Sequence, residues 1–374
     1  MPDSGADSRR PTYEVAVVGG GVIGMSVAYG LARLGRRTVV FDGNDTAFRA
    51  SRGNAGLVWV QGKGSKCPPY ALWSLGSADR WPLFGAQLRR ETGVDVEYER
   101  PGGFLLFDRQ DEWDEELAGL AILKAWDPVL DYEVLDPAEL ARRLPAASRD
   151  LLGGTFSRHD GQSNPLALLR ALQAAFQGAG GTYCPHRPVR ALHPRPGHFQ
   201  VETADGITEA GQVVLGAGLG NIPLAPMVGL RAPVAPLRGQ MLVTEKLEPF
   251  LGCLVDGIRQ TVSGSVVLGS SSEPVGLDDG VTAPILATIA RFAITRFPRL
   301  RRARVLRAWA SLRIMTPDGM PVYEPSPSCP GAFLVNSHSG VTLAAAHAEV
   351  LAPWIAGQAA PDFLEYCHAS RFSV

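Results

Sequence analysis

The sequence predicts an α/β protein of two units: a discontinuous one built on alternating strands and helices, and a mostly antiparallel one inserted into it. Three observations carry that prediction. Tyr13-Glu-Val-Ala-Val-Val18 runs directly into Gly19-Gly-Gly-Val-Ile-Gly24, and the next apolar run, Thr38-Val-Val-Phe41, ends in Asp42. A second glycine turn, Gly216-Ala-Gly218, and a strand–turn–helix pattern close to the C-terminus repeat the same texture. Between them lie segments that read as short alternating strands, at 240–243, 265–268 and 305–312.

The first turn has the composition of a dinucleotide cradle, the Rossmann-like arrangement. Gly19 permits the tight turn, Gly21 lets backbone approach a pyrophosphate, and Gly24 lets the helix pack on the strand. A diphosphate then rests on helix N–H groups at the positive end of the dipole. Asp42, about twenty residues beyond the last glycine, accepts hydrogen bonds from a ribose diol. This fingerprint alone fits NAD as well as FAD.

The remaining elements follow in order. Residues 26–34 complete the first crossover helix, and 48–64, rich in Gly, Ser and Asn, read as an extended loop. Residues 72–92 read as helix stopped by Gly93, Gly103-Phe-Leu-Leu-Phe107 as strand, and 111–126 as a charged amphipathic helix. Asp136-Pro-Ala-Glu139 opens a short helix, and Asn164-Pro165 a longer one reaching Gln177. Val189, Phe199-Gln-Val201 and Gln212-Val-Val-Leu215 look like strands. A helix over 284–297, the strand Gly331-Ala-Phe-Leu-Val335 and a helix over 341–355 complete the chain. The division expected is a nucleotide-binding domain of 12–95, 150–232 and 310–374, a substrate domain of 96–149 and 233–309, and a flexible tail of 1–11.

Composition narrows the function. With 374 residues, 45% hydrophobic and 20% charged, the chain is long enough to bury a large core. A net charge of −1 provides no general field for nucleic acid, and the local basic run at 299–307 reads as a solvated edge. Apolar runs stop well short of the ~20 residues that span a bilayer, and the polar opening lacks the apolar region of a signal peptide. Cys67, Cys184, Cys253, Cys329 and Cys367 are scattered singly, without C-x-x-C or zinc-type spacing. They suggest reduced thiols in the cytoplasm, no metal site and no local iron–sulfur motif.

Five motifs in order resemble the FAD-dependent amine and amino-acid oxidoreductases of the D-amino-acid oxidase and glycine oxidase group. They are Gly19–Gly24, Ala50-Ser-Arg-Gly-Asn-Ala-Gly56, Val214-Leu-Gly-Ala-Gly218, Leu312-Arg-Ile-Met-Thr-Pro-Asp-Gly319 and His338-Ser-Gly-Val-Thr342. Asp42 stands where the family more often has Glu. The resemblance implies FAD, with hydride passing from the substrate α-carbon to flavin N5, and orientation carrying most of the catalysis. It implies that Ser51, Asn54 and Gly56 line the flavin and pyrophosphate, that Val189 meets adenine, and that Gly218 passes close to ribose or phosphate. Gly340 and Thr342 would supply N–H groups to the electron-rich side of the reduced flavin. Arg313 is the residue expected to pair with a substrate carboxylate, which a guanidinium fork meets bidentately. Arg259 is a second candidate and His338 a third. A cysteine within 308–318 marks the covalent-flavin branch; none occurs, so the FAD is expected to be non-covalent.

Within the group, Leu57-Val-Trp-Val-Gln-Gly-Lys-Gly64 looks like the flavin-bearing chains of heteromeric bacterial dehydrogenases: D-hydroxyproline dehydrogenase beta, opine oxidase B and hydrogen cyanide synthase C. That likeness implies redox partner subunits, with a second flavin or an iron–sulfur cluster held with or by them. Membrane association would be peripheral and through those partners. The expected reaction is oxidation of the C–N bond of D-hydroxyproline or a related imino acid. Opines, glycine and sarcosine are the rival substrates, hydrogen cyanide synthesis is a rival role, and an FAD-binding electron-transfer or scaffold subunit is the non-enzymatic alternative.

Overall fold

The computed structural model describes residues 12–43, 49–130 and 132–372. The expected tail at 1–11, and Phe48 at the start of the expected loop, lie outside the described residues. The first sheet runs, from its edge inward, Val322–Pro325, Ala332–Asn336, Gly206–Leu215, Tyr13–Val18, Thr38–Phe41 and Thr182–Cys184. Its five strands from Ala332–Asn336 to Thr182–Cys184 are parallel, and Val322–Pro325 joins antiparallel. The outer half of Gly206–Leu215 carries an antiparallel extension, His198–Thr203 and Ala191–Arg195.

These strands are apolar runs because both faces are covered. Val15, Val17, Val40, Val214 and Val335 enter the core on one face, beneath the helices Val22–Arg33 and Pro165–Gly178. Ala16, Val18, Val39, Phe41, Val213, Leu215 and Leu334 enter the core on the other. That is the period-two alternation of strand side chains, legible in the sequence as an unbroken hydrophobic run.

The second sheet is antiparallel apart from one pair. Its order is Val305–Met315, Ala235–Lys246, Ser265–Gly269, Ile258–Gln260, Leu254–Val255, Gly103–Phe107, Gly153–Ser157 and Glu133–Leu135. Leu254–Val255 alone runs parallel to its neighbour, Gly103–Phe107. Helix Ala283–Arg296 packs Ile289 and Ala293 against Leu242, Val266 and Leu268, closing a separate core.

The structure departs from the sequence reading at five places. Gly153–Ser157, inside the 150–232 stretch expected with the nucleotide unit, is hydrogen-bonded into the second sheet between Gly103–Phe107 and Glu133–Leu135. Val305–Met315 likewise crosses the expected 309/310 boundary as one strand paired with Ala235–Lys246. Both partners are remote in sequence, so nothing local marks the pairing. The expected loop contains a helical turn, Ala50–Gly53, and a short strand, Leu57–Val58, paired with Gly161–Gln162. Val189 lies before the strand that starts at Ala191, and the last helix starts at Ala344, with 340–343 as a turn and a π-helical stretch at His347–Leu351.

The first helix meets this C-terminal segment through small residues. Ala344, Ala345, Ala348 and Ala352 are fully or almost fully buried, and a Cβ on Gly30 would sit 2.2 Å from the Ala348 carbonyl oxygen and 2.5 Å from the Ala352 Cβ. Gly30→Ala therefore sets two effects against each other. Helix propensity favours alanine by about 1 kcal/mol, while overpacking against backbone costs about 1–3 kcal/mol. The contact is with backbone and has no side chain to swing aside, so overpacking wins. Urea unfolding is expected to show a net loss of up to about 2 kcal/mol at unchanged m-value; a stabilised variant would contradict this packing.

Candidate functional site

Two cavities meet at the carboxyl ends of the parallel strands, sharing Ile23, Ala50, Ser51 and Ile314 in their walls. The first, about 550 Å³, is lined by Gly19, Gly21, Asp42, Ser51, Val189 and Gly218. Gly19 has φ +111°, and a Cβ there would lie 2.6 Å from the Gly216 carbonyl oxygen, so the two glycine turns touch. Gly24 does not line the cavity; its Cβ would meet the Gly19 carbonyl oxygen at 1.9 Å, which is the close helix–strand contact expected of it.

Helix Val22–Arg33 begins at this cavity with Gly21 as N-cap and no acid in its first turn. Ser51 comes from the neighbouring turn, and its Oγ accepts the Val22 N–H at 2.9 Å. Asp42, 6% exposed, sits at the tip of its strand with Arg49 Nη1 3.4 Å away. The glycine turn, the open positive helix end and the buried acid form a cradle without bulky side chains, which fits a dinucleotide diphosphate and its ribose.

The second cavity, about 600 Å³, is a chamber between the two sheets. The long strands Ala235–Lys246 and Val305–Met315 supply Met241, Ser311 and Arg313, and helix Ala283–Arg296 supplies Ile285, Ile289 and Phe292. The turn after Ala332–Asn336 supplies His338 and Gly340. Strand alternation turns Ser311 and Arg313 toward the chamber and Leu312 toward the cradle. Gly239 opposite leaves room for the guanidinium: its Cβ would be 3.4 Å from Arg313 Nε.

Arg313 is half-buried. Its Nη2 donates to the Ser271 carbonyl oxygen and to Ser272 Oγ, while Nε has no partner. Burial lowers its pKa, against the attraction of Asp256. His338 opens onto the chamber; burial first, then the charges of Lys63 and Arg313, push it down to about 4. It is therefore a neutral imidazole at pH 7.

Asn54, Gly56, Gly340 and Thr342 also line the chamber, and their packing and hydrogen bonds shape its walls. Asn54 braces its own loop as well: Nδ2 donates to the Ala50 and Ser51 carbonyls, and Oδ1 accepts the Gly56 N–H at 2.8 Å. Gly56, with φ +75°, lets the loop pass the Ser163 carbonyl oxygen, 2.1 Å from where a Cβ would be. Thr342 is a clamp: its Oγ1 accepts the Trp59 N–H at 3.0 Å, and its carbonyl accepts from Ser77 Oγ and Trp81 Nε1. Gly340 approaches Ile23, whose Cγ1 would lie 3.1 Å from a Cβ at that position. Arg259 lies outside both cavities; it is buried, with Nη1 3.4 Å from Gln162 Oε1 and the charges of Glu97 and Glu99 nearby.

Sequence reasoning passed over Lys63, Asp160 and Asp256. Asp160 is fully buried and accepts from the Val60 N–H and Gln61 Nε2, each at 2.6 Å, fixing the 57–63 loop. Burial raises it to about 7, and burial lowers Lys63 to about 7. Asp256 is the only carboxylate on the described chamber walls. The isolated lysine between Gly62 and Gly64 was the available signal. None of the five cysteines lines either cavity, and no metal-type cluster of His, Cys, Asp and Glu occurs among the described residues. No helix among them is long and apolar enough to cross a membrane.

Comparison with known proteins agrees with this geometry. The family model described as "DAO: FAD dependent oxidoreductase" matches residues 14–354. The B subunit of opine oxidase from Agrobacterium tumefaciens (strain Ach5) is 40% identical over 364 residues, covering 96% of this chain and 98% of that protein. Hydrogen cyanide synthase subunit HcnC of Pseudomonas aeruginosa is 27% identical over 407 residues, covering 94% and 97%. The crystal structure of glycine oxidase from Geobacillus kaustophilus superposes with a TM-score of 0.89 at 25% identity, covering 96% and 98%. The cradle, the chamber beside it and these likenesses converge: the chain belongs to the DAO family of FAD dependent oxidoreductases and is an FAD-dependent amino-acid oxidoreductase.

Proposed function

We propose that this chain is the substrate-oxidising FAD subunit of a heteromeric dehydrogenase that oxidises the C–N bond of an opine, a secondary amine joining two carboxylated carbons. The observation that carries the reading is Arg313, a half-buried guanidinium aimed into the chamber that opens beside the dinucleotide cradle. The opine reading is preferred to D-hydroxyproline because whole-length similarity to the B subunit of opine oxidase outweighs the likeness of one loop. Gly19, Gly21, Asp42, Ser51, Val189 and Gly218 would hold the cofactor's nucleotide half, and the Gly340 turn its ring. When bound, FAD supplies a two-electron acceptor.

The chain's own residues do the positioning. Arg313 binds the carboxylate next to the carbon being oxidised and fixes the direction of its C–H bond. Neutral His338 holds no proton at Nδ1 or Nε2 beyond its single N–H, so it accepts a hydrogen bond from an amine without repelling it. Ile285, Ile289, Phe292 and Met241 exclude water and strengthen these polar contacts. The same reading divides the chain into a nucleotide unit and a substrate unit. It places the complex in the cytoplasm or, through its partners, at the inner face of the membrane.

Arg313→Ala is expected to lower kcat/KM for an opine by tens-fold or more while leaving the flavin spectrum intact, since losing one side of a buried charge pair costs ~2–5 kcal/mol. A change below about threefold would remove Arg313 from substrate binding. The flavin is expected to be free of covalent attachment, because no cysteine reaches either cavity. Acid precipitation should leave the yellow colour in the supernatant; colour in the pellet would overturn this. Finally, the isolated chain is expected to turn over slowly with oxygen and faster with an artificial dye, and to co-purify from its host with a subunit carrying a further flavin or iron–sulfur centre. Peroxide production matching the dye-linked rate in a lone chain would point to a simple oxidase.

A further inference from the structure

Lys63 is a basic group of the chamber to which carboxylate binding by Arg313 gives no role. It enters from the loop between strand Leu57–Val58 and helix Pro68–Thr92. Gly62 (φ +70°) and Gly64 (φ +81°) flank it in the left-handed region, where a Cβ is disfavoured. A Cβ on Gly64 would meet the Ala71 nitrogen at 2.7 Å, so the turn lies hard against the start of the following helix. The ammonium is thus presented by a fixed turn.

Its protein contacts are thin. Nζ donates to Thr342 Oγ1 at 3.4 Å, an oxygen already accepting the Trp59 N–H, and lies 5.9 Å from the centre of the Tyr70 ring. Among the described residues no carboxylate lies within ion-pair distance of it. Asp160 attracts it from further off, but the Asp160 oxygens are committed to Val60 and Gln61.

The same chamber holds Arg313, whose guanidinium has only a carbonyl and a hydroxyl as partners. His338 stands within the fields of both cations, which places them around one space. Asp256, the only carboxylate on the described walls, is raised toward its neutral form by burial. Two basic groups in one chamber are costly to hold charged without bound anions, and one ligand carboxylate offsets only one of them.

We propose that Lys63 is a specificity residue that binds a second substrate carboxylate. Arg313 holds the carboxylate on one of the two carbons flanking the amine, and Lys63 the carboxylate on the other. The substrate class is an N-carboxyalkyl amino acid, and a substrate with one carboxylate leaves Lys63 unpaired. This rests on reading the chamber as an amine-oxidising site, and it names the recognition within that site.

The test uses the FAD-loaded protein and two ligands without a nitrogen to oxidise. Diglycolate and methoxyacetate are ethers that differ by one carboxylate, and calorimetry gives their affinities without turnover. The wild-type protein is expected to bind diglycolate at least about tenfold more tightly. Lys63→Met should shrink that preference below about threefold by weakening diglycolate, Lys63→Arg should retain most of it, and Arg313→Ala should weaken both ligands. No preference in the wild type, or equal weakening of both ligands by Lys63→Met, would overturn the proposal. So would FAD loss in Lys63→Met with the preference preserved, which would assign the lysine to the cofactor. Lys63-dependent diglycolate binding in a protein whose flavin no secondary amine reduces would uphold the carboxylate subsite and sink the oxidation reading alone.

Discussion

The contact between the two glycine turns is the constraint on which the rest of the molecule depends. Gly19 follows the first strand and Gly216 follows its parallel neighbour, and their backbones approach so closely that no side chain fits between them. That contact brings the carboxyl ends of the central strands to one edge and aims the first helix's N-terminus across it. Asp42 then falls beside the turn because its strand is the next in the sheet, with its Oδ2 2.7 Å from where a Gly20 Cβ would be. A larger residue at Gly19 would separate the turns, and the cradle would lose its floor before any ligand contact was affected.

The chamber is the work of the second sheet. Its two longest strands extend toward the first unit, where Trp309 Nε1 donates to the Gly53 carbonyl at 3.0 Å and Ile314 packs over Gly218. This anchoring fixes Arg313 relative to the cradle through a sheet and not through a loop. On the opposite wall, Asp160 holds the 57–63 loop through two short hydrogen bonds, and Thr342 ties the same loop to the C-terminal turn. Three distant parts of the chain thereby share one rigid boundary. Arg313 and Lys63 are the two basic side chains on that boundary.

What the sequence disclosed was local. Gly19–Gly24, the apolar runs on both sides and Asp42 are adjacent in the chain, so their geometry follows from turn and strand rules alone, and the structure has that arrangement. Arg313 was legible because its neighbours form a recognisable motif. The Lys63–Asp160 relation was not, since the two sit almost a hundred residues apart and meet only through the pairing of Leu57–Val58 with Gly161–Gln162. Arg259 was misplaced for a related reason. On a three-residue strand the facing of a side chain depends on a register that no periodicity records. Asn54 and Gly56 were found at the site, but their chemistry is spent on shaping the loop. The second sheet's borrowing of Gly153–Ser157 escaped because it pairs with two earlier segments, Gly103–Phe107 and Glu133–Leu135, and no local pattern records that pairing.

The central claim is that one FAD lies along the two joined cavities and that an opine in the chamber reduces it. Anaerobic titration of the purified, FAD-loaded chain with an opine tests this most directly. One FAD per chain is expected, fully bleached by one equivalent of opine, because a single site couples two-electron oxidation of one C–N bond to one cofactor. A chain that retains no FAD, or one whose FAD stays oxidised in the presence of opines, would contradict it.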